Sequence, residues 1–317
     1  MFEIGSMHFL TGEELSQAEL IELLEVAEFF RVNREKTREE LLTSASPGIL
    51  SGKTIAMIFE KPSLRTRLSF GVGIHELGGH ALELQGNQTK KEDPEDAIRV
   101  LQGMVHGVML RTFEHSNLDR MVSMAKIPVV NGLSDSHHPC QVLADLLTLK
   151  QNFGSFQGLR LAYIGDGNNV LHSLLLLAPF LGVDVHYACP NGYLPDSEIL
   201  RRAKVRATLG KAQIQKFDSP SEAVAGAHAI YTDVWTSMGF EEENALRVKV
   251  FADYQVNREL LSLGDPRAVM MHCLPMVKGS EITAEMVEHP RAVLFQQAEN
   301  RLHAQKALLH GIYSKRV

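Results

Sequence analysis

The sequence has no uninterrupted apolar run of about 18 residues, the length that marks a membrane-crossing helix. Its longest apolar stretch, Leu174 to Leu181, is broken by Pro179 and reads as a buried helix. Cysteine is scarce: the 3 present, Cys140, Cys189 and Cys273, show no paired spacing. An odd, scattered set argues against a disulfide framework and for a reducing compartment, so a cytoplasmic location is expected. There is no excess of positive charge. Lys and Arg number 32 against 38 Asp and Glu, a net charge of -6. That balance leaves no basic field for nucleic acid, although it says nothing of one cationic pocket for a small anion. The opening residues Met1 to Met7 lack a basic start and an apolar core, so no secretory signal is expected. No internal repeat or low-complexity segment is visible.

What is present is a globular composition, 44% hydrophobic and 22% charged over 317 residues. That length suits two domains better than one. Ser16 with Glu19 three residues on is a capping-box spacing, and Leu20, Leu23, Leu24 and Ala27 continue it with helical periodicity. Thr54 to Phe59 is a short apolar run of the kind that forms a buried parallel strand, with a helix from about Arg65. Gly107 to Leu110, ending at Arg111, and Ile127 to Val130 are further strands, and a helix follows from Pro139. Past Phe153-Gly154-Ser155 the alternation resumes. Leu159–Ile164, Val183–Cys189, Ala229–Tyr231, Ala268–Met271 and Val293–Phe295 read as strands, and a last helix begins near Glu299. Alternating strands and helices predict two open parallel-sheet α/β domains. Their expected limits are 1–150 and 151–298, with the C-terminal helix 299–317 packing back onto the first.

In such sheets ligands bind beyond the carboxyl ends of the strands. Ser63, Arg111, Asn169, Asp233 and Cys273 all stand just after expected strands. Polar residues of both halves are therefore expected to face one interdomain cleft.

Several short runs carry chemistry. In Ser63-Leu64-Arg65-Thr66-Arg67, Ser63 suits an N-cap, and the helix start with two guanidiniums suits a phosphate; a capped helix with a solvated basic face is the plain alternative. In His138-Pro139-Cys140-Gln141, His138 and Gln141 share a face of the first helical turn. Imidazole can donate to a carbonyl oxygen and Gln can accept from an amino group, which matches O=C–NH2. A zinc site from His137, His138 and Cys140, or simple capping, is the alternative there. Cys273 in His272-Cys273-Leu274-Pro275 is, on its type alone, more often a small core residue. In Asp233-Val234-Trp235-Thr236-Ser237-Met238-Gly239, Asp233 can hold an ammonium group and Gly239 permits a mobile loop. The alternative is a turn with Trp235 half-buried. Ala298-Glu299-Asn300-Arg301 alone reads as a helix start with an exposed Arg301. Gly165-Asp166-Gly167-Asn168-Asn169-Val170 suggests a dinucleotide fingerprint. It lacks the third glycine, and no acid for a ribose ends the next strand, so an NAD(P)-dependent oxidoreductase is a distant reading.

Taken in order, these runs resemble the aspartate/ornithine carbamoyltransferase family. Ser63–Arg67 is similar to its Ser-x-Arg-Thr-Arg signature, and His138–Gln141 to its His-Pro-x-Gln motif. His272–Pro275 resembles the His-Cys-Leu-Pro motif of the ornithine branch, Asp233–Gly239 its Asp-x-x-x-Ser-Met-Gly loop, and Ala298–Arg301 its closing motif. The likeness spans nearly the whole chain. It implies transfer of a carbamoyl group from carbamoyl phosphate to the δ-amine of L-ornithine, with no metal or organic cofactor. The implied carbamoyl phosphate site is Ser63, Leu64, Arg65, Thr66, Arg111, His138, Gln141, Cys273, Leu274 and Arg301. Asn87, from the loop 85–92 of a neighbouring subunit, is expected to complete it, with Gln88 and Lys91 as competitors. The implied ornithine site is Asn169, Asp233, Ser237 and Met238, and the implied catalytic residues are Cys273, Arg111 and His138. A residue lent across an interface implies a homo-oligomer, a trimer or a multiple of trimers. Leu64 departs from the family, where Thr is common, at a position used mainly through its backbone. The nearer alternatives are a carbamoyltransferase for a modified ornithine or a diamine, and a homologue that binds without catalysing.

Overall fold

A computed structural model describes residues 3–36, 39, 48–86, 92–236 and 241–314. The chain divides into two compact units. One is Met1–Leu147 with Glu299–Val317, and the other is Thr148–Ala298.

The first unit opens with α1 (Gln17–Val32), started by the Ser16–Glu19 capping box. Its sheet is built from β1 (Thr54–Phe59), β2 (His80–Gln85), β3 (Gly107–Arg111) and β4 (Val129–Leu133), in the order β2-β1-β3-β4. All the pairings are parallel. The connections carry α2 (Arg65–Glu76), α3 (Pro94–Leu101) and α4 (His115–Met124), and α5 (Pro139–Phe153) follows β4. Ala56, Ile98, Val108, Leu110, Leu118, Met121 and Val129 form one core under the sheet. Parallel strands buried on both faces read as continuous apolar runs, which is why β1 and β3 were legible. The edge strand β2 is mostly exposed and carries His80, Glu83 and Gln85, so no apolar run announces it.

The second unit contains β5 (Arg160–Ile164), α6 (Asn169–Leu177), β6 (Asp184–Ala188), α7 (Ser197–Gly210), β7 (Ile214–Lys216), α8 (Pro220–Val224), β8 (Ala229–Thr232), α9 (Asn244–Val250), α10 (Arg258–Ser262), β9 (Val269–His272) and α11 (Ala284–Val287). Its sheet runs β7-β6-β5-β8-β9, again wholly parallel. The last helix, α12, spans Leu294–Tyr313. Its later turns group with the first unit: Lys306 Nζ donates to Glu76 Oε2 at 2.8 Å, and Tyr313 Oη to the His106 carbonyl at 2.8 Å.

Two strand expectations need correction. Val293–Phe295 is not a strand. Val293 N–H donates to the Met270 carbonyl at 3.0 Å, and an isolated bridge pairs Met270 with Ala292. The helix then begins at Leu294; a three-residue apolar run has no period that separates a strand from a helix start. The third strand starts at Val129 rather than Ile127, since Pro128 has no N–H to give the ladder and contributes only its carbonyl, to Val108.

Candidate active site

In the first unit, strand register sets the site. Phe59 at the end of β1 lies beside Arg111 at the end of β3. The chain leaving β1 is tied to that neighbour: Glu60 Oε2 accepts from Thr112 Oγ1 at 2.6 Å and from Phe113 N–H at 3.2 Å. This anchors the turn that opens α2. The helix is assigned from Arg65, but Leu64 already has helical dihedrals (φ -84, ψ -56), as the residue after a Ser63 cap should. The Ser63 hydroxyl accepts from the Thr66 N–H at 3.3 Å. Leu64 is exposed and Thr66 buried.

Arg301 of α12 reaches this turn. It is buried, and its Nη2 donates to Thr66 Oγ1 at 2.8 Å. Arg111 is buried as well, and burial pushes its guanidinium down to about 9, with the Arg301 and Arg65 charges adding to the effect. The same three guanidiniums act on His138. Its imidazole is held well below its ordinary range, first by complete burial and then by Arg301, Arg111 and Arg65. Cationic charge concentrated in this way is poorly tolerated without an anion, and a phosphate supplies one. Arg67 takes a different partner: its Nε lies 3.0 Å from Glu83 Oε2 on β2, and its guanidinium sits over the Phe59 ring.

Gln141 is buried on the first turn of α5. Its Nε2 donates to Asp145 Oδ1 at 2.9 Å, which fixes the amide orientation and leaves Oε1 buried with no hydrogen-bond partner among the described residues. The Nε of Arg111 is likewise buried and has no partner among the described residues. A vacant acceptor and a vacant donor in one unit match the NH2 and the oxygens of a carbamoyl phosphate. Cys140, between these residues, is a core group. Its thiol donates to the Asn131 carbonyl at 3.3 Å, and burial pushes it up to about 12. Among the described residues, His137, His138 and Cys140 do not converge as a metal site.

In the second unit, Thr232 pairs with His272, so the next residues out, Asp233 and Cys273, emerge side by side from β8 and β9. Cys273 Sγ donates to Asp233 Oδ1 at 2.9 Å. Ile164 pairs with Thr232 on the other side, which brings the turn after β5 to the same carboxylate. There Asn168 Nδ2 donates to Asp233 Oδ2 at 2.7 Å, while its Oδ1 caps α6 by accepting from Val170 and Leu171 N–H. Asn169 is the first residue of α6. That geometry argues against a dinucleotide. The helix-end donors a pyrophosphate would need are taken by Asn168, and the Tyr193–Pro195 backbone packs where a Gly167 side chain would stand.

The His272 ring holds the Cys273 turn. His272 Nδ1 accepts from Leu274 N–H at 2.9 Å, so the ring proton is on Nε2, which faces Glu281 Oε1 at 3.1 Å. The same carboxylate oxygen accepts from Val277 N–H at 2.5 Å. Glu281 thus grips the loop on both sides of Cys273. Leu274 sits in the left-handed region (φ 59), and the Leu274-Pro275 peptide is cis. Asp233, His272 and Cys273 place ligand-type atoms within 4.8 Å of one another. Both His272 nitrogens are already engaged, so the group does not fit a metal.

Trp235 is buried rather than half-buried and stacks on Phe251. Arg247 Nη1 donates to the Trp235 carbonyl at 2.8 Å and to Asp166 Oδ2 at 2.7 Å. Asn87, Gln88, Lys91, Ser237, Met238 and Gly239 lie outside the described residues. Asn168, Glu281 and Arg247 were not singled out from sequence. Asn168 had a signal, an N-cap residue directly before an apolar helix; the other two are placed only by the fold.

The sequence model described as the aspartate/ornithine carbamoyltransferase carbamoyl-P binding domain matches residues 7–151, and that of the family's Asp/Orn binding domain matches residues 157–312. The ornithine carbamoyltransferase of Methanothermobacter thermautotrophicus is 47% identical over 92% of this chain and 95% of its own. That of Carboxydothermus hydrogenoformans is 45% identical over 96% and 95%. The solved structure of ornithine carbamoyltransferase from Pyrococcus furiosus superposes with a TM-score of 0.90 at 40% identity, covering 98% of each chain.

Proposed function

The chain belongs to the aspartate/ornithine carbamoyltransferase family, and we propose that it transfers the carbamoyl group of carbamoyl phosphate to the δ-amine of L-ornithine, giving citrulline and phosphate. The observation that carries the acceptor is the 2.9 Å contact between Cys273 Sγ and Asp233 Oδ1. A thiol beside a buried carboxylate suits an incoming amine. The side-chain carboxylate of aspartate would meet the Asp233 charge and be repelled.

The δ-amine resembles that of lysine, with a pKa of about 10.4, so near pH 7 roughly one molecule in 2,500 is neutral, a cost of about 4.6 kcal/mol. In our reading Asp233 and Cys273 select and orient the amine, with Asn169, Ser237 and Met238 holding the amino-acid head. The nitrogen lone pair attacks the carbamoyl carbon, and the carbonyl π pair moves onto oxygen. His138, kept neutral by its surroundings, and Arg111 donate to that oxyanion as preorganised donors. Gln141 Oε1 accepts from the carbamoyl NH2. The carbon–oxygen bond to phosphate then breaks, phosphate leaves with the electron pair, and it takes the amine proton. Ser63, the Leu64 backbone, Arg65, Thr66 and Arg301 hold it, and the Leu274 backbone and Asn87 complete the carbamoyl phosphate site. The proposal extends to a cytoplasmic enzyme of arginine biosynthesis, assembled as a trimer or a multiple of trimers. The ground for the assembly is the family likeness of the chain, which implies a residue lent across a subunit interface, and sedimentation of the purified protein tests it.

The decisive assay is citrulline production by purified protein from carbamoyl phosphate and ornithine. Turnover with putrescine or N-acetylornithine, and none with ornithine, overturns the acceptor.

A further inference from the structure

The first unit has a concave feature at the ends of its strands opposite Arg111. A pocket of about 470 Å³ is bordered by Lys53 just before β1, His106 just before β3 and Lys126 shortly before β4. Tyr313, Met7 and Met104 also line it. Its volume falls in the range of small-molecule sites, roughly 300–1,000 Å³. Arg111 stands at the far end of β3, five residues along, roughly 15 Å away at about 3.3 Å per residue. The pocket is therefore distinct from the carbamoyl phosphate cluster.

Its charge is one-sided. Among the described residues no Asp or Glu lines it, and neither Lys53 nor Lys126 makes an ion pair. His106 adds a directed donor. Its Nδ1 accepts from the Thr54 N–H at 3.1 Å, so the ring proton is carried on Nε2. The Tyr313 hydroxyl is spent on the His106 carbonyl and helps fix that residue. Two ammonium groups and an imidazole N–H without an acid call for an anion with two negative charges. Met7, Met104, Val105 and Ile127 give the rest of the wall an apolar character. Met104, a large apolar side chain, is 75% exposed among the described residues.

We propose that this pocket binds a small organic dianion, a phosphate monoester or a dicarboxylate with an apolar body, independently of the carbamoyl phosphate site. The site is built by three loops at the amino ends of β1, β3 and β4, so a bound dianion bridges all three.

Isothermal titration of the full chain with phenyl phosphate tests the proposal. An Arg65→Gln background weakens the catalytic anion site, so the remaining heat reports the pocket. The expected result is one-to-one binding that survives Arg65→Gln and weakens at least about tenfold in Lys53→Gln/Lys126→Gln and at raised salt. These lysines lie outside the catalytic machinery, so that double variant keeps its basal carbamoyl transfer. Met104→Glu, which places a negative charge at the exposed rim, is expected to abolish binding and serves as the second variant. Phthalate distinguishes the two sources: tighter binding than that of phenyl phosphate assigns a dicarboxylate, weaker or no binding assigns a phosphate monoester, and equal binding assigns the shared dianion chemistry. The proposal is overturned if neither probe binds saturably, or if binding disappears with Arg65→Gln and persists in the lysine variant.

Discussion

Arg247 joins Asp166 at 2.7 Å and the Trp235 carbonyl at 2.8 Å through one nitrogen, Nη1. Asp166 belongs to the turn that carries Asn168, and Trp235 lies two residues beyond Asp233. The guanidinium therefore pins together the two segments that meet at the Asp233 carboxylate. Its burial, and the stacking of its face near Tyr193, make that link rigid.

Arg247→Met is expected to destabilise the second unit by about 3–5 kcal/mol, because it leaves Asp166 buried without its partner. KM for ornithine should rise about tenfold while KM for carbamoyl phosphate changes little. Arg247→Lys should recover part of the stability and part of the ornithine KM. Denaturant melts with steady-state kinetics on both substrates decide the matter; equal rises in both KM values would remove the positioning role.

The Cys273–Asp233 contact predicts two distinct kinetic defects. Asp233→Asn retains the hydrogen-bonding shape and removes the charge. It should lower kcat/KM for ornithine about 100-fold, which is about 2.7 kcal/mol. Cys273→Ala should reduce kcat and leave carbamoyl phosphate binding nearly unchanged. A Cys273→Ala enzyme with wild-type kcat would reduce the residue to the small core role its type alone suggests.

Much of this was legible because parallel strands write themselves as apolar runs and place their next residue at a ligand site. Arg111, Asp233 and Cys273 were singled out that way, as residues at or just past the ends of expected strands. What the sequence withheld is pairwise register. Nothing in the run Ala229–Tyr231 says that it lies beside β9, yet Thr232 opposite His272 is what brings Asp233 to Cys273. Arg247 and Glu281 were invisible for the same reason: each is an ordinary charged residue until the fold buries it against a distant partner. Val293–Phe295 was misread because a three-residue apolar run fits a strand or a buried helix start equally well.

Glu281 offers a sharper test of how the Cys273 turn is held. Glu281→Gln keeps an acceptor for Val277 N–H or His272 Nε2–H, though without the charge. Glu281→Leu leaves both donors buried without a partner, at about 1–3 kcal/mol each. Stability should therefore fall in the order wild type, Gln, Leu, and kcat should fall with it while KM for carbamoyl phosphate stays level. Equal stability of the Gln and Leu variants would show that the carboxylate does not grip the loop.

Buried histidines set a pH dependence of stability, His138 and His303 among them. His138 is held well below its ordinary range, and His303 is lowered to about 4, chiefly by burial, with Lys306 and Arg34 adding to it and Glu299 opposing. Neither His303 ring nitrogen makes a hydrogen bond among the described residues, and Glu299 Oε1 lies 3.7 Å from Nε2. In the unfolded chain both rings titrate near 6.5. Between the folded and unfolded values the unfolded state holds more protons, so stability rises with pH and is lost as pH falls below about 6.5. For His303 the loss continues down to about 4. Each such histidine contributes about 1.4 kcal/mol per pH unit at full slope, so His303 alone should cost roughly 1 kcal/mol between pH 7.5 and 5.5. Urea midpoints at those two pH values should differ less in His303→Gln than in the wild type. That window lies above the range in which the carboxylate of Glu76, held low by Arg34 and Lys306 despite its burial, begins to protonate. An unchanged pH difference in the variant would mean that His303 keeps its proton in the folded protein, against the burial and neighbouring cations that should expel it.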